Sequence, residues 1–539
     1  MIKPRSGAVR CLLVRPEFLE GTFYNPREMF QTLGAESAAP PLGLLTTAAY
    51  LPPTWELRFI DADLGPVRDE DLAWADVLMI SGKGPQNIPI WRLIDRAQAH
   101  DVTVIVGGAG PTLQPRDYMG RGGVGRADYI VAGESEPVID ELLADLAKGV
   151  SKGIYKSAES ASLVDARLPR WDLAELDRYM FVGMNFTRGC PFSCEFCAQI
   201  EIFGRKPRCK SPEQILAEHQ RLYDLGYRGM IDLGYDNLIG DIPKTEAVLA
   251  AMRDWNREHG HPFFYSTEAT MNLARQPKIL ELMRDNDFRY VFMGIESGDP
   301  AVLNRTKKGQ NTAMAAEEAV RIVNSYGIVV NTGLIIGFDG ESEQAAEMML
   351  RMVQKTGAFP TLVLPLHALP GTQLARRLEA EKRLFGGGVV MNTEERTDTA
   401  TTGLNFVTDR PRARVLGDLA RVLEELYRPE NHYERVALIT DQLRAQRKFM
   451  PPPKKLLQLS RAFVKIARNL SKDPETARRF WPALARAAVK NPAAIEIVVG
   501  QAVMNDNYAR SARSYVAALR EQIAGLERSG DAAAAPAPA

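Results

Sequence analysis

The sequence predicts an α/β protein in three parts: an N-terminal Rossmann-like domain, a partial or complete βα barrel, and a mostly helical C-terminal domain. Three observations predict it. Residues 8–150 alternate short β-branched runs with helical patterns, a second series of the same kind occupies 181–386, and from 387 to 528 the pattern becomes helical and more polar. With 539 residues, 45% hydrophobic and 25% charged, the chain has material for about three or four cores.

In the first part the strand candidates are AVRCLLVRP, WELRFIDADL, ADVLMISG, VTVIVGGAGP and ADYIVAGES, with LGLLTTAAYL and IPIWRLIDRAQAHD as helix-like segments between them. Such alternation argues for an open parallel sheet covered on both faces, with any ligand at the carboxyl ends of the strands. The loops there carry Ser81, Gly82 and Gly84, then Gly107, Gly108 and Gly110, then Gly133 with Glu134. Glycine in these loops lets backbone approach a flat or phosphate-bearing ligand closely. Residues 151–180, including LPRWDLAELDRYMF, lose periodicity and read as an ordered connector.

The second series begins at FVGMNFTRGC and continues through MIDLGYDN, FFYSTEAT, YVFMGIES, IVVNTGLIIGFDG and TLVLPLHALPGT. Helical stretches such as SPEQILAEHQRLYDLG, PKILELMRDND and TAMAAEEAVRIVNSYG separate them. Six strands, each followed by a helix, suit a βα barrel whose chemistry sits on the loops at the strand C-termini. In the third part, PPPKKLLQLSRAFVKIARNLSK sets apolar residues at helical spacing among Lys454, Lys455, Arg461, Lys465, Arg468 and Lys472. It reads as a packed helix with a solvated basic face, or as a helix that touches lipid. The terminal DAAAAPAPA, within 529–539, is low-complexity and expected to be disordered.

Charge and composition exclude several roles. The 67 basic and 67 acidic side chains cancel, so no global field draws the chain to nucleic acid, and any partner is recognised locally. The N-terminus has no signal-like apolar segment and no run of about 18 apolar residues occurs, which reads as cytosolic. Five cysteines do not make a disulfide framework.

Three of them, Cys190, Cys194 and Cys197, stand at C-x3-C-x2-C spacing in TRGCPFSCEFCAQI. A structural zinc site needs four ligands, and Cys209 or His219 could in principle supply the fourth, but neither belongs to a tight pair. In a [4Fe-4S] cluster, three thiolates leave one iron open to a small chelator. Cys11 and Cys209 read by default as buried or incidental thiols. His261 and His367, near strands that face the barrel mouth, read as satisfied structural residues before proton carriers.

This spacing, with Phe196 just before the last cysteine, resembles the signature of the radical S-adenosylmethionine (SAM) enzymes. The resemblance implies that Cys190, Cys194 and Cys197 hold a [4Fe-4S] cluster and that SAM chelates the open iron. An electron, from a donor such as flavodoxin or ferredoxin, then cleaves SAM to methionine and a 5′-deoxyadenosyl radical. YDNLIG occupies the place of the family's glycine-glycine-glutamate, so Asp236 and Asn237 must serve there. STEAT supplies Glu268 and GIES supplies Glu296 for polar contacts near ribose or substrate, and GLIIGFDGE places Gly333, Ile335 and Gly337 beside adenine.

A Rossmann-like domain directly before a radical core is similar to the cobalamin-binding arrangement of one large subgroup. The subgroup's D-x-H-x-x-G motif is absent, since no histidine precedes His100. The resemblance then assigns cobalamin to Ser81, Gly82 and Gln86, to Gly107, Gly108 and Thr112, and to Gly133 and Glu134. PRWDL, RGCPFSCEFC, GRKPRCK, STEATMNLA, VFMGIES, KKGQN and ALPGTQLARRLEAEKRL follow in order the pattern of hopanoid C2 methylase-like proteins, over roughly residues 8 to 450. What this implies is a cobalamin-dependent radical C-methyltransferase acting on an unactivated carbon of a small-molecule substrate, a polycyclic lipid or a tetrapyrrole as in the subgroup; the basic amphipathic C-terminal helix suits an apolar or lipid-like substrate and peripheral membrane contact. Cyclisation, ring contraction or rearrangement on the same domains is the alternative, and a non-catalytic zinc protein is the alternative from another class.

Overall fold

The computed structural model describes residues 7–18, 26–120, 125–234, 236–385 and 403–529. The boundary expected near 386 and the tail from 530 onward lie outside the described residues.

The first unit is a six-stranded parallel sheet formed by β1 (Arg10–Arg15), β2 (Glu56–Asp61), β3 (Val77–Ser81), β4 (Thr103–Gly107), β5 (Tyr129–Val131) and β6 (Ile154–Tyr155). Its order is β2-β1-β3-β4-β5-β6, so the chain reverses direction across the sheet between β1 and β3, the switch point where open α/β sheets hold ligands. Five of these strands coincide with the sequence reading. The sixth falls inside the expected connector: two residues are too few to show a period, and only pairing with β5 makes them a strand. Two apolar clusters, one on each face, cover the sheet, because Leu12 and Val14 point one way and Cys11 and Leu13 the other. Cys11 is fully buried, and burial pushes its thiol far up, as expected of an inert core residue.

The second unit begins with β7 (Phe181–Met184). A two-residue β8 (Thr187–Arg188) follows and pairs antiparallel with β9 (Arg208–Cys209). Then come β10 (Gly229–Leu233), β11 (Phe263–Glu268), β12 (Phe288–Glu296), β13 (Val329–Ile336) and β14 (Thr361–Pro365). The six long strands form one parallel sheet in sequential order, β7-β10-β11-β12-β13-β14, each step made through a helix. This is the expected partial (βα)6 barrel. Residues alternate along its strands between fully buried side chains against the outer helices and half-buried ones on the inner face. The inner row includes Asp232, Ser266, Glu268, Tyr290, Phe292, Asn331, Gly333, Ile335, Leu362 and Leu364.

Helices form where caps and apolar stripes coincide. Helix Pro212–Asp224 starts at a capping box in which Ser211 Oγ accepts from Gln214 N at 3.3 Å while Gln214 Oε1 accepts from Ser211 N at 2.9 Å. The C-terminal helices Arg412–Leu426, Pro429–Gln442, Pro453–Leu470, Pro474–Lys490 and Ile495–Ser529 share one continuous apolar core with the barrel. Among the described residues no helix is long and apolar enough to cross a membrane.

Candidate functional site

The loop that carries Cys190, Cys194 and Cys197 leaves β8 and returns through β9, so the short ribbon closes it at its base. Gly189, at φ 91°, opens the turn, and a side chain there would meet the carbonyl of Lys206 at 2.6 Å. Cys190 N donates to Gly204 O at 3.3 Å and Cys197 N to Cys194 O at 3.1 Å. Cys194 is buried and the other two are half-buried. Burial pushes the Cys190 thiol up and the Cys197 thiol to about 11, and the nearby Cys194 adds to both. The two alternative fourth ligands are committed elsewhere. Cys209 Sγ faces Thr187 Oγ1 across the ribbon at 3.7 Å, and His219 is held by Ile215 O at 2.7 Å and Tyr265 OH at 3.0 Å. Among the described residues no three His, Cys, Asp or Glu side chains converge closely enough for a single metal ion. Thiolates on separate corners of a cubane stand farther apart than the ligands of one ion, so the donor set fits a three-cysteine cluster better than zinc.

Around the thiols the structure gathers groups from the ends of several strands. Phe196 packs against Phe338, centroids 5.5 Å apart, which joins the cysteine loop to the turn after β13. That turn requires Gly337 at φ 104°, where a side chain would strike Leu404. Gly337 N donates to Glu341 at 2.8 Å. Gly333 is needed for a different reason, because a side chain would stand 2.9 Å from the Phe292 ring on the inner face. Glu296, the last residue of β12, sits at a register shift with φ 68°, a strained backbone for a non-glycine residue, and pairs with the buried Lys308. Gly294 leaves room for that pair, Lys308 also stands 5.7 Å from the Phe196 ring, and Gln310 donates to Cys194 Sγ at 3.5 Å. Asn311 ties the same segment to Gly294 O at 2.8 Å. The stretch KKGQN thus brings Lys308, Gln310 and Asn311 to the site. The sequence displayed the stretch without revealing their contacts.

Several buried polar atoms at this end of the barrel have no protein partner: Asn185 Oδ1, Asp236 Oδ1, Asn237 Nδ2, Thr270 Oγ1 and both ring nitrogens of His367; Asn331 Oδ1, deeper in β13, is a further one. A folded chain rarely leaves such atoms orphaned, and a cluster at the strand C-termini marks where a polar ligand completes them. Asp236 Oδ2 accepts from Gly189 N at 2.5 Å, which leaves Oδ1 free beside the cysteine loop. Burial raises Asp236 and Asp232 each to about 6 and Glu268 to about 8, the last helped by both aspartates. His367 departs from the sequence reading of a satisfied structural residue, since burial lowers it to about 4 and leaves a neutral ring with nothing bound to it. His261, at φ 54° where helix Ile242–Glu258 turns toward β11, lies at the opposite end of the barrel.

The Rossmann-like unit faces this end of the barrel. Helix Ala109–Leu113, after the β4 glycines, packs on helix Gln199–Phe203, just after the third cysteine. Glu134 accepts from Arg188 at 2.6 Å and from Arg208 at 2.9 Å, and Glu136 pairs with Arg188 at 2.9 Å. Both arginines belong to the ribbon under the cysteine loop, and Ala161 N donates to Glu134 at 2.9 Å as well. Glu134 is therefore a clamp between the units, where the sequence reading placed it among ligand contacts.

The glycine loops also divide. A side chain on Gly108, at φ 100°, would meet Gly82 O at 2.6 Å, one on Gly110 would meet Tyr118 OH at 2.9 Å, and one on Gly82 would meet Ile90 at 2.7 Å. Gly107 meets only ordinary contact with Val131 at 3.6 Å. These glycines let the loops pack on one another, whereas Gly133, at φ 109°, faces open space. Thr112 Oγ1 links the two settings, donating to Gly108 O at 2.7 Å and accepting from Gly133 N at 2.9 Å. Gln86 is turned inward, with its amide donating to Pro16 O and accepting from Lys83 N at 3.0 Å. Ser81 remains half-buried at the end of β3.

Lys83, in the same loop, has an exposed side chain and lies within electrostatic reach of Glu268 at the end of β11. Desolvation lowers its ammonium pKa, and the charge of Glu268 opposes the shift. Glu268 is half-buried. The Lys83–Glu268 approach sets the loop after β3 opposite the end of β11, across the gap between the two units. A separate cavity of about 750 Å³ among the C-terminal helices, lined by Tyr427, Tyr433 and Asn505, contains no thiol, and the chemistry points to the interdomain gap instead.

Comparison with known proteins agrees with this arrangement. The profile of the radical SAM superfamily matches residues 184–353, and that of a domain of unknown function matches 372–521. An uncharacterised methyltransferase of Synechocystis sp. is 35% identical over 79% of this chain and 78% of its own length. The hopanoid C-2 methylase of Rhodopseudomonas palustris is 33% identical over 71% and 73%. Among solved structures, the cobalamin-dependent S-adenosylmethionine radical enzyme OxsB, with aqua-cobalamin and S-adenosylmethionine bound, has TM-score 0.59 at 14% identity, covering 97% of this chain and 81% of that one. At that identity the likeness is one of fold.

Proposed function

From a chain that belongs to the radical SAM superfamily, among relatives that are methyltransferases, we propose a cobalamin-dependent C-methyltransferase that acts on an unactivated carbon of an apolar, polycyclic or lipid-like substrate. The carrying observation is the pairing of a three-cysteine loop with a row of orphaned polar atoms, set opposite a Rossmann-like sheet at its switch point. When bound, a [4Fe-4S] cluster, SAM and cobalamin together supply an electron, a primary carbon radical and a transferable methyl group.

The chain's own residues do the rest. Cys190, Cys194 and Cys197 hold the cluster, while Lys308, paired with Glu296, sets a positive charge beside their sulfurs. Asp236 and Asn237 receive the amino acid end of SAM, Glu268 and Glu296 the ribose side, and the turn Gly333–Gly337 with Ile335 lies against the adenine. His367 offers a neutral ring nitrogen at the end of β14. Ser81, Thr112 and Gly133 border the cobalamin side. The inner row of Tyr290, Phe292, Leu362 and Leu364 supplies an apolar wall that suits a hydrocarbon substrate and excludes water. An external one-electron donor of the flavodoxin or ferredoxin class is part of this reading.

Incubation of the reduced, reconstituted enzyme with methyl-labelled SAM and either a polycyclic lipid or a tetrapyrrole tests the proposal. Label in the product is expected. A product formed while all label stays in methionine overturns methyl transfer in favour of cyclisation or rearrangement.

A further inference from the structure

The stretch from Pro453 to Lys472 holds six basic side chains and no acidic one, in a chain whose total charges cancel. Most of it is the helix Pro453–Leu470, fixed to the body by its rear face. There Ile466, Ala467 and Leu470 are buried against the last helix, and Lys455 donates to Gly34 O at 3.4 Å.

The outer face differs from that of a solvated helix. Leu456 and Leu457 are each 54% exposed and Val464 is 65% exposed; their spacing of seven and eight residues puts them on one stripe. Ser471 continues the stripe, and its hydroxyl accepts from Trp481 Nε1 at 3.1 Å, which holds the 45% exposed Trp481 at the end of the row. Alongside, Arg461, Lys465, Arg468 and Lys472 recur at intervals of four, three and four, all exposed and none in an ion pair among the described residues. A nucleic-acid surface has no use for protruding Leu456, Leu457 and Val464. An anionic bilayer meets both stripes, with apolar side chains at the acyl boundary, the indole at headgroup level and cations on the phosphates.

We propose that Pro453–Lys472, with Trp481, is an in-plane docking surface for an anionic lipid bilayer. The face serves a lipid-like substrate well, but the inference rests on this helix alone and stands whether or not methyl transfer does. Its test is sedimentation of the full chain with vesicles of phosphatidylcholine, alone or mixed with phosphatidylglycerol. Partition onto the anionic vesicles should exceed that onto neutral ones by at least about tenfold. It should fall by about tenfold or more both in Arg461→Glu/Lys465→Glu/Arg468→Glu and in Leu456→Ser/Leu457→Ser/Val464→Ser. Unchanged gel-filtration volume and cluster absorbance show that the variants remain folded. Equal binding to the two vesicle types, full binding by the serine variant, or a preference for DNA over vesicles overturns the proposal.

Discussion

The two facing halves of the site treat their polar atoms in opposite ways. At the barrel mouth Asn185, Asp236, Asn237, Thr270 and His367 keep buried atoms without partners. Across the gap, Gln86, Thr112, Glu134 and the glycines of β3 and β4 are consumed by protein contacts, whereas Gly133 faces open space and Lys83 is exposed. In the proposed reading, the barrel half grips a small polar ligand through many directed bonds. The Rossmann-like half offers a shaped surface with few, which suits a ligand held by area and shape.

Four measurements break or sharpen that contrast. Replacing any one thiol, as in Cys197→Ala, should abolish cluster absorbance and lower product formation by at least about 10³-fold; retained absorbance removes the barrel half of the comparison. Next in size is Glu134→Gln, which leaves Arg188 and Arg208 short of charge in a buried seam and should cost about 3 kcal/mol, read as a lower denaturation midpoint. A midpoint equal to wild type denies the clamp.

Two glycine variants then test the other half directly. Gly108→Ala, which drives a methyl group into Gly82 backbone, should destabilise by about 2 kcal/mol, whereas Gly133→Ala carries only backbone strain of about 1 kcal/mol. Cobalamin retention should nevertheless fall more in Gly133→Ala, and the reverse ranking sinks the assignment of the open face.

The smallest effect is a pH trend in the protein without cofactors. Glu268 at about 8, Glu341 at about 7, and Asp232 and Asp236 at about 6 all lie above ordinary carboxyl values near 4. Through these four carboxyls the folded chain binds more protons than the unfolded chain between about pH 4 and 8, while His219 and His367, lowered by burial to about 4, act the other way below about pH 6.5. The stability these carboxyls contribute is complete below that window and is lost as pH rises through it. Thermal midpoints should fall from about pH 7 to about pH 8.5, above the histidine range, and Glu268→Gln should flatten the upper part of the slope. An unchanged slope in that variant shows that Glu268 is solvated rather than enclosed.

Much of this site was legible in the chain because its signals are local. The spacing of Cys190, Cys194 and Cys197, the six barrel strands, and the turn from Gly333 to Glu341 each depend on residues within one short segment, and period and spacing record them. What was not legible depends on partners far apart in sequence. Lys308 and Glu296 meet only because β12 bulges where they face one another, and Glu134 reaches Arg188 and Arg208 only after two units have docked. The same holds for β6 and for the ribbon of β8 and β9, whose two-residue strands have no period to read.

The sequence by itself determined the order of the two α/β units and the helical region, and through the resemblance it proposes Cys190, Cys194 and Cys197 as the cluster ligands. Only the tertiary structure decided which glycines serve packing and which face open space, that Glu134 is a clamp, and that His367 is a neutral ring without a protein partner. The physical reason is that spacing fixes which groups one segment can present together, whereas a partner, a collision or an orphaned atom exists only once distant segments share a space.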